Sequence, residues 1–309
     1  MARDGSTRIG YAPAVVDTAL DALLERLHSR SRGAPFLAGL SGLQGSGKST
    51  FARQLVAAAN ARGVPSTGLS LDDFYLGRRA RRHLAREVHP LLATRGVPGT
   101  HDLDLLAQTL GDLARASPRR PARVPRFDKG RDTRLAPSRW RRIVRKPRLI
   151  VLEGWCVGLP AQAADALWRP LNALERHADR DGRWRRSVNA RLAGDYAKLW
   201  SRLDALILLQ APTFPIVTRW RGEQERRLRV RGAPHAMDAA TLRGFLMHYE
   251  RLSRHALRTL PARADVRLEL RADRSVRRIL AGGERRARRQ ASGNATPAQR
   301  AGSTTTAVP

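Results

Sequence analysis

Cysteine and long apolar runs are almost absent from this sequence of 309 residues. Cys156 is the single cysteine, so no disulfide can form within the chain, as is typical of proteins in a reducing compartment. The longest apolar runs, such as Ala205 to Leu209, have the length of a β-strand and are too short to cross a bilayer. The first residues include the acidic Asp4 and no long apolar core, which argues against a secretory signal. We therefore expect a cytoplasmic protein without a membrane partner.

Lysine is also scarce, since only four of the 58 basic residues are lysines, although the formal net charge is +31. A charge of this size ordinarily indicates a nucleic-acid or membrane partner. Here the arginines are spread along the whole chain, and the sequence has no recognisable nucleic-acid motif and no basic patch rich in aromatic residues. Biased use of arginine explains this distribution better than a dedicated basic face. We expect no specific nucleic-acid partner.

A glycine-rich segment between two apolar stretches has the pattern G-x-x-x-x-G-K-[ST]. Residues 35–40 before it indicate a buried strand, and residues 50–60 indicate the helix that follows. The glycines let backbone N–H groups face phosphate oxygens, and the helix N-terminus adds partial positive charge. Lys48 would reach the β- and γ-phosphates of ATP, and the Ser49 hydroxyl would bind Mg²⁺. The pattern predicts a nucleotide site formed by Gly42, Leu43, Gln44, Gly45, Ser46, Gly47, Lys48, Ser49 and Thr50.

Strand-like and helix-like segments alternate along most of the chain. After residues 35–40, further strands are indicated at 66–71, 148–155, 203–210 and 265–270. This alternation predicts an α/β fold with a central parallel five-stranded sheet flanked by helices. We divide the chain into an N-terminal helical extension (1–33), a nucleotide-binding domain (34–280) and a basic, disordered tail (281–309). Residues 214–260 are expected to be helical, with a break near Gly232 to Pro234.

Acidic residues follow two of the predicted strands. Asp72 and Asp73 lie at the carboxyl end of one strand, the edge at which ligands collect in open parallel sheets. A carboxylate there could accept the proton of an attacking hydroxyl or help to hold Mg²⁺. Glu153 follows four apolar residues and would bind Mg²⁺ directly or through a water, because a charge behind a buried strand is costly without a partner. These acids favour phosphoryl transfer.

The phosphate loop, the D-D-F-Y segment and the E-G-W segment together resemble the pantothenate, uridine and phosphoribulose kinase group. Further segments narrow the resemblance to the D-glycerate 3-kinase family, and it extends from about Phe36 to Leu270. The R-G-x-P-G-T-H-D and R-F-D-K-G segments are fairly specific within the wider group, whereas the phosphate loop is not. The segments that carry the resemblance are His89 to Asp102, Pro125 to Gly130, Leu152 to Cys156 and Trp220 to Glu225.

The resemblance implies a cytoplasmic P-loop kinase that transfers the γ-phosphoryl group of ATP to a small hydroxylated acceptor. In related kinases the aspartate at the position of Asp72 acts as the base, and Asp73 is the weaker candidate. The resemblance also implies a helical lid near Trp220 that closes over the phosphates. Arg221 and Arg226 would then neutralise the charge that develops during transfer.

The acceptor site is expected among cationic and hydrogen-bonding side chains of the two specific segments, because a carboxylate substrate needs charge-assisted donors. The leading hypothesis is phosphorylation of D-glycerate to 3-phosphoglycerate. The alternatives are the same chemistry on a pantothenate-like or nucleoside-like metabolite, and a nucleic-acid-associated NTPase with salt-dependent binding. The candidate acceptor residues are Arg95, His101, Asp102, Arg126 and Lys129.

Overall fold

The computed structural model describes residues 10–30, 33–230 and 237–281. The helices are α1 (Pro13–His28), α2 (Lys48–Ala61), α3 (Arg78–Glu87), α4 (Leu103–Ala114), α5 (Ala173–Ala178), α6 (Arg183–Arg191), α7 (Ala197–Trp200), α8 (Ile216–Val230) and α9 (Ala239–Arg263). A π-helical turn, Leu192–Tyr196, joins α6 to α7. The strands are β1 (Phe36–Gly42), β2 (Ser66–Ser70), β3 (Ala122–Val124), β4 (Phe127–Asp128), β5 (Thr133–Arg134), β6 (Arg141–Ile143), β7 (Leu149–Gly154), β8 (Ala205–Gln210), β9 (Val266–Leu270) and β10 (Val276–Ala281). The expected tail lies outside the described residues apart from Ala281, and so does the helix break expected at Gly232 to Pro234.

Six strands form the central sheet, in the order β2, β7, β1, β8, β9, β10. The first five are parallel, which confirms the predicted α/β fold with a parallel sheet flanked by helices. The sixth strand, β10, pairs antiparallel with β9. The sequence did not predict β10, because its residues are at most half-buried and have no apolar pattern.

The innermost strands β1 and β7 position the functional edge of the sheet. Every residue of both strands is buried, as expected for parallel strands that are covered on both faces. Their register places Ser41 opposite Gly154, and β2 continues the sheet with Ser70 opposite Glu153. The carboxyl ends of β1, β7 and β2 therefore meet at one edge, where the predicted loop and acids lie.

The helix expected in the N-terminal extension packs against the core. Arg62 at the end of α2 forms ion pairs with Asp17 and Asp21 on the outer side of α1. The division of the chain after residue 33 stays a prediction. The inner side of α1 is formed by Val16, Ala19, Leu20, Leu23 and Leu27, which are all buried.

The segment between α4 and β7, expected to be irregular, contains two small antiparallel ladders. β3 pairs with β6, and β4 pairs with β5. The β4–β5 hairpin is tied to the turn after β2, because the backbone N–H of Phe127 donates to Oδ1 of Asp73 at 3.0 Å. The hairpin carries Lys129 to the sheet edge, as expected for a segment that passes the site.

Several arginines are structural and not solvated. Arg185 pairs with Asp179 at 2.9 Å, and Arg251 of α9 pairs with Glu175 of α5 at 2.6 Å, with all four side chains almost completely buried. These pairs connect α5 to α9 and the start of α6 to the residue that follows α5. Among the described ranges, no helix is both long and apolar enough to cross a membrane.

Candidate active site

The phosphate loop joins β1 to α2 and has the backbone geometry of an anion cradle. Gly45 and Gly47 have φ of +79° and +92°, the left-handed region that favours glycine. Lys48 begins α2, so the free N–H groups of the first helical turn face the loop. The side-chain amide of Gln44 and the hydroxyl of Ser46 are buried without a hydrogen-bond partner in the described chain. Because buried polar atoms normally have partners, the loop fits a phosphate group.

Two side chains from distant parts of the chain brace the loop. The hydroxyl of Tyr11 donates to the carbonyl of Ser46 at 2.7 Å. Nε of Arg274 donates to the carbonyl of Gly45 at 2.8 Å, and the same guanidinium pairs with Glu223 of α8 at 2.6 Å. Arg274 therefore joins the phosphate loop to the helix beyond β8.

Lys48 lies between the loop and the acids of the neighbouring strands. Its ammonium donates to the carbonyl of Leu43 at 3.0 Å. Burial lowers the pKa of Lys48, although the charges of Glu153 and Asp72 act in the opposite direction. The cation that the motif requires is thus within the electrostatic reach of both predicted acids.

Three oxygen-bearing side chains form a candidate metal site. Oε1 of Glu153 accepts hydrogen bonds from Oγ of Ser49 and Oγ of Ser70, each at 2.8 Å. Glu153 is 7% exposed and has no ion-pair partner among the described residues. A buried carboxylate with two hydroxyl neighbours is an all-oxygen donor set, which fits Mg²⁺. The sequence predicted Ser49 and Glu153 but missed Ser70.

Asp72 lies in the short 3₁₀ turn that follows β2 and has two hydrogen-bond donors. Oδ2 accepts from Nζ of Lys129 at 2.5 Å, and Oδ1 accepts from the hydroxyl of Tyr75 at 2.7 Å. Burial raises the pKa of Asp72, but the Lys129 ammonium and the two hydrogen bonds outweigh it and hold this pKa below its usual range. The carboxylate is therefore ionised, as a base requires. Asp72 is paired with a lysine, whereas Glu153 is hydrogen-bonded to two serines.

Asp73 has a different environment from Asp72. Its Oδ1 accepts the backbone N–H of Phe127, and burial raises its pKa. It lines a cleft of about 770 Å³ together with Ser49 and Arg126. Asp73 thus holds the hairpin in place, while Asp72 is the acid that contacts the lysine of that hairpin.

His101 lies beside Asp72 in a layer of aromatic rings. Its ring stacks on Tyr75 with centroids 4.8 Å apart, and its Nδ1 lies 2.6 Å from the hydroxyl of Tyr196. Burial lowers the pKa of His101 to about 4, although the charge of Asp72 acts in the opposite direction. The ring is neutral at neutral pH, and its Nε2 is buried without a partner among the described residues. His101 therefore has one ring nitrogen whose hydrogen-bonding capacity is unused.

Asp102, the next residue, is occupied by structural contacts. Oδ1 caps α4 by accepting the backbone N–H of Leu105 at 3.0 Å. Oδ2 pairs with Arg134 of β5, also at 3.0 Å. The observed role of Asp102 is to hold the loop against the hairpin, and contact with an acceptor stays a prediction.

Arg95 and Arg126 lie in different surroundings. Arg95 pairs with Asp132 at 2.6 Å and donates to the carbonyl of Lys129 at 3.1 Å, so it contacts the β4–β5 hairpin at two residues. Arg126 is exposed and lines the cleft next to Asp73. The structure brings His101 and Lys129 to Asp72, and it places Arg126 in the neighbouring cleft.

Helix α8, the predicted lid, lies against the phosphate loop. A Cβ on Gly45 would lie 2.7 Å from Cβ of Trp220, so the two segments touch directly. Arg221 donates to Gln224 at 2.6 Å and pairs with Glu225 at 2.5 Å, while its Nε is buried without a partner in the described chain. Arg226 follows on the same helix and is exposed.

Five residues of the site were missed in the sequence. Ser70 and Tyr75 had a local signal, because each lies within a few residues of Asp72. Tyr11, Tyr196 and Arg274 had none, since their partners Ser46, His101 and Gly45 lie 35, 95 and 229 residues away along the chain.

Comparison with known proteins agrees with this geometry. The chain is 32% identical over 240 residues to the uncharacterized kinase mug58 of Schizosaccharomyces pombe, which covers 74% of this chain and 84% of that protein. It is 29% identical over 216 residues to the chloroplastic D-glycerate 3-kinase of Arabidopsis thaliana, covering 66% of this chain and 44% of the plant protein. The solved structure of D-glycerate 3-kinase from Cryptococcus neoformans has a TM-score of 0.71 at 22% identity and covers 87% of this chain and 99% of its own. No protein-family model matches.

The sheet order, the phosphate loop and the acids at the strand ends define a P-loop kinase with a hydroxyl group as acceptor. Within that class, the 32% identity to the fission yeast kinase over 84% of that protein shows that this chain belongs to the same kinase family. Its homology to the plant D-glycerate 3-kinase confirms the resemblance seen in the sequence.

Proposed function

We propose that this kinase phosphorylates D-glycerate with ATP and releases 3-phosphoglycerate and ADP. The observation that carries the proposal is the ionised Asp72 carboxylate, held by Lys129 beside Lys48 of the phosphate loop. An ionised base and a cation at the same point suit an acceptor that has both a hydroxyl and a carboxylate. The names of the plant and fungal relatives support glycerate as that acceptor.

The transfer step needs little covalent chemistry from the protein. The acceptor hydroxyl oxygen forms a bond to the γ-phosphorus, the bond from that phosphorus to the β–γ bridging oxygen breaks, and ADP leaves with the electron pair. The hydroxyl proton passes to Asp72. A carboxylate with a lowered pKa is a weak base, so its main contribution is to orient the hydroxyl, in keeping with loose phosphoryl-transfer transition states.

The donor half of the site would be formed by the phosphate loop and the lid. Lys48 would leave the Leu43 carbonyl for the β- and γ-phosphates, and Arg221 would leave its partners on α8 for the same oxygens. Arg226 is the second lid candidate. Ser49 and Glu153 would hold Mg²⁺, and Ser70 would orient the Glu153 carboxylate. The ion screens the phosphate charges when it is bound.

The acceptor half would be formed around Asp72. Lys129 would bind the acceptor carboxylate when the substrate enters, and His101 would donate a hydrogen bond through Nε2. Arg95 supports Lys129 and the hairpin, while Arg126 is near enough to the metal site to contact a longer acceptor. A pantothenate-like or nucleoside-like acceptor and a nucleic-acid-associated NTPase are not favoured by the relatives. A cytoplasmic location and the lack of a nucleic-acid partner remain predictions.

A panel of acceptors tests the proposal. The purified protein is assayed for ADP release with ATP and Mg²⁺ in the presence of D-glycerate, L-glycerate, pantothenate or uridine. We expect turnover with D-glycerate and a product whose phosphate is on the terminal oxygen by ³¹P NMR. ADP release that is indifferent to D-glycerate would overturn the choice of acceptor, and stimulation by DNA or RNA would favour the NTPase alternative.

A further inference from the structure

The π-helical turn Leu192–Tyr196 places a buried hydroxyl behind His101. Tyr196 is 1% exposed and His101 is 5% exposed. The Tyr196 hydroxyl lies 2.6 Å from Nδ1 of His101 and accepts the backbone N–H of Gly99 at 3.1 Å. Such π-helical turns are frequent at functional sites. The Tyr196 hydroxyl thus forms hydrogen bonds with both the Gly99 amide and the His101 imidazole.

The number of available protons decides between the two neutral tautomers of His101. If the Tyr196 hydroxyl donates to Nδ1, then the Gly99 amide, the phenol proton and Nδ1 are all satisfied, and His101 has its proton on Nε2. If His101 instead donates from Nδ1 to the Tyr196 oxygen, the hydroxyl proton of Tyr196 has no acceptor among the described residues, and the lone pair of Nε2 has no donor. The first arrangement leaves one unpaired group and the second leaves two, and each unpaired buried group is unfavourable. The hydrogen bonds therefore select the Nε2–H tautomer.

The proton on Nε2 of His101 belongs to the aromatic layer that also contacts the proposed base, Asp72. The His101 ring stacks on Tyr75 at an interplanar angle of 28°, and the Tyr75 hydroxyl donates to Asp72. Backbone contacts fix this layer, since the N–H of Leu76 donates to the carbonyl of Thr100 at 2.9 Å. Nε2 is buried and has no partner among the described residues. A buried donor without an acceptor indicates the place of a ligand oxygen.

We propose that Tyr196 is a positioning residue that fixes His101 in its Nε2–H form, so that His101 donates a hydrogen bond to a carboxylate or hydroxyl oxygen of the acceptor. An N–H donor at this place donates to oxygen lone pairs and disfavours an ammonium group, which has no lone pair to accept it. The selection of the tautomer is independent of the acceptor's identity, whereas the contact with the acceptor rests on the proposed function.

Nitrogen NMR tests the tautomer without any substrate. Protein labelled with ¹⁵N-histidine is measured at neutral pH, and the His101 signals are assigned by their loss in His101→Gln. We expect one protonated nitrogen, Nε2, in the wild type and a shift of population toward Nδ1–H in Tyr196→Phe. A wild-type signal from Nδ1–H, or an unchanged tautomer in Tyr196→Phe, would overturn the proposal.

Steady-state kinetics test the contact with the acceptor, using whichever acceptor of the panel is turned over. In Tyr196→Phe we expect KM for the acceptor to rise up to about tenfold, the effect of one neutral hydrogen bond, while KM for ATP stays constant. His101→Gln retains an N–H donor that has no tautomer, so adding Tyr196→Phe to it should change KM for the acceptor less than twofold, roughly the additivity limit of independent sites. A tenfold rise in KM for the acceptor on adding Tyr196→Phe to His101→Gln would contradict the proposal that Tyr196 acts through His101.

Thr109→Val is the matched control. It also removes one buried hydroxyl, which donates to the Leu105 carbonyl at 2.7 Å within α4, away from the aromatic layer. We expect a similar loss of stability with no change in the His101 tautomer. If D-glycerate is not turned over but the tautomer result holds, the proposed function fails while the role of Tyr196 stands. A tautomer shift in Thr109→Val would instead show that general loosening causes the effect.

Discussion

Nζ of Lys129 lies 2.5 Å from Oδ2 of Asp72, and the two residues are 57 positions apart in the sequence. The contact joins the turn after β2 to the tip of the β4–β5 hairpin. It holds the proposed base in its ionised form and places a cation next to it. The ammonium lowers the pKa of Asp72 and the carboxylate raises the pKa of Lys129, so each partner stabilises the charge of the other.

Replacing Lys129 with methionine should change the pH profile of the kinase. Burial raises the pKa of Asp72, and without the opposing ammonium this pKa moves up from its lowered value. Because the ionised form is the active one, the acid limb of kcat should move to higher pH. The stabilisation from ionised Asp72, which is present above its unfolded pKa and lost as pH falls through its folded pKa, should also decrease.

The measurement for Lys129→Met is kcat against pH at saturating substrates. Lys146→Met is the control, because Lys146 is an exposed lysine that donates to the carbonyl of Gly33 at the opposite end of the sheet. We expect its profile to match that of the wild type. An unshifted acid limb in Lys129→Met would show that Lys129 does not control the base.

Asp72→Asn should separate nucleotide binding from transfer. The asparagine retains the size of the side chain but cannot accept the hydroxyl proton, so we expect turnover to fall by about 10²- to 10⁴-fold with ATP affinity almost unchanged. Binding is measured by calorimetry and turnover by ADP release. Asp73→Asn is the matched control, because an asparagine oxygen can still accept the Phe127 amide. Near-normal turnover in Asp72→Asn would show that the base is another residue.

The oxygen cluster predicts graded effects on the Mg²⁺ requirement. Glu153→Gln removes the charge, and Ser70→Ala removes a hydroxyl that orients the carboxylate at 2.8 Å. Loss of such outer contacts typically weakens metal binding about 10- to 100-fold, so the Mg²⁺ concentration for half-maximal activity should rise by about tenfold in Ser70→Ala and more in Glu153→Gln. Ser66→Ala, at the other end of β2, should leave it unchanged. Equal requirements in all three variants would exclude a metal at Glu153.

Arg274→Met should destabilise the protein and weaken nucleotide binding together. The change keeps the apolar stem but removes the donor to the Gly45 carbonyl and one of the two arginines that pair with Glu223, a loss of about 1–3 kcal/mol in the free energy of unfolding by urea. Arg277→Met is the control, because it removes an exposed ion pair with Glu269 and should change stability by less than about 0.5 kcal/mol. If both variants unfold at the same urea concentration, Arg274 does not brace the loop.

The central sheet and the donor half of the site were predictable because their signals are local. A glycine pattern between a strand and a helix locates the loop, and acids after buried strands must meet at one sheet edge, which brought Asp72 and Glu153 together. Asp102 shows the limit of this reasoning. Asp102 was assigned to the acceptor site because it lies in a segment that resembles the family. Its position just before an apolar helical run also fits the N-cap of α4 that the structure shows.

The remaining features depend on contacts that no local pattern encodes. β10 is stabilised by pairing with β9 and by partial burial of Val276, Ile279 and Ala281 against the core, a spacing interrupted by two arginines that gives no clear strand signal. Tyr196, which contacts His101, is the last residue of a π-helical turn between α6 and α7, and no pattern in the sequence indicated that turn. With arginines throughout the chain, no sequence signal separates Arg274, which braces the loop, from Arg226, which is exposed.

The two braces on the phosphate loop come from opposite ends of the described chain, Tyr11 and Arg274. During synthesis on a ribosome, the loop and its helix emerge long before Arg274, so the loop is fully braced only after Arg274 has emerged. Contacts of such high sequence separation form slowly. A bound ligand stabilises the segments that must be packed in place for it to bind. Since Tyr11 precedes α1 and Arg274 lies between β9 and β10, nucleotide should slow amide hydrogen exchange both in α1 and in the β9–β10 turn.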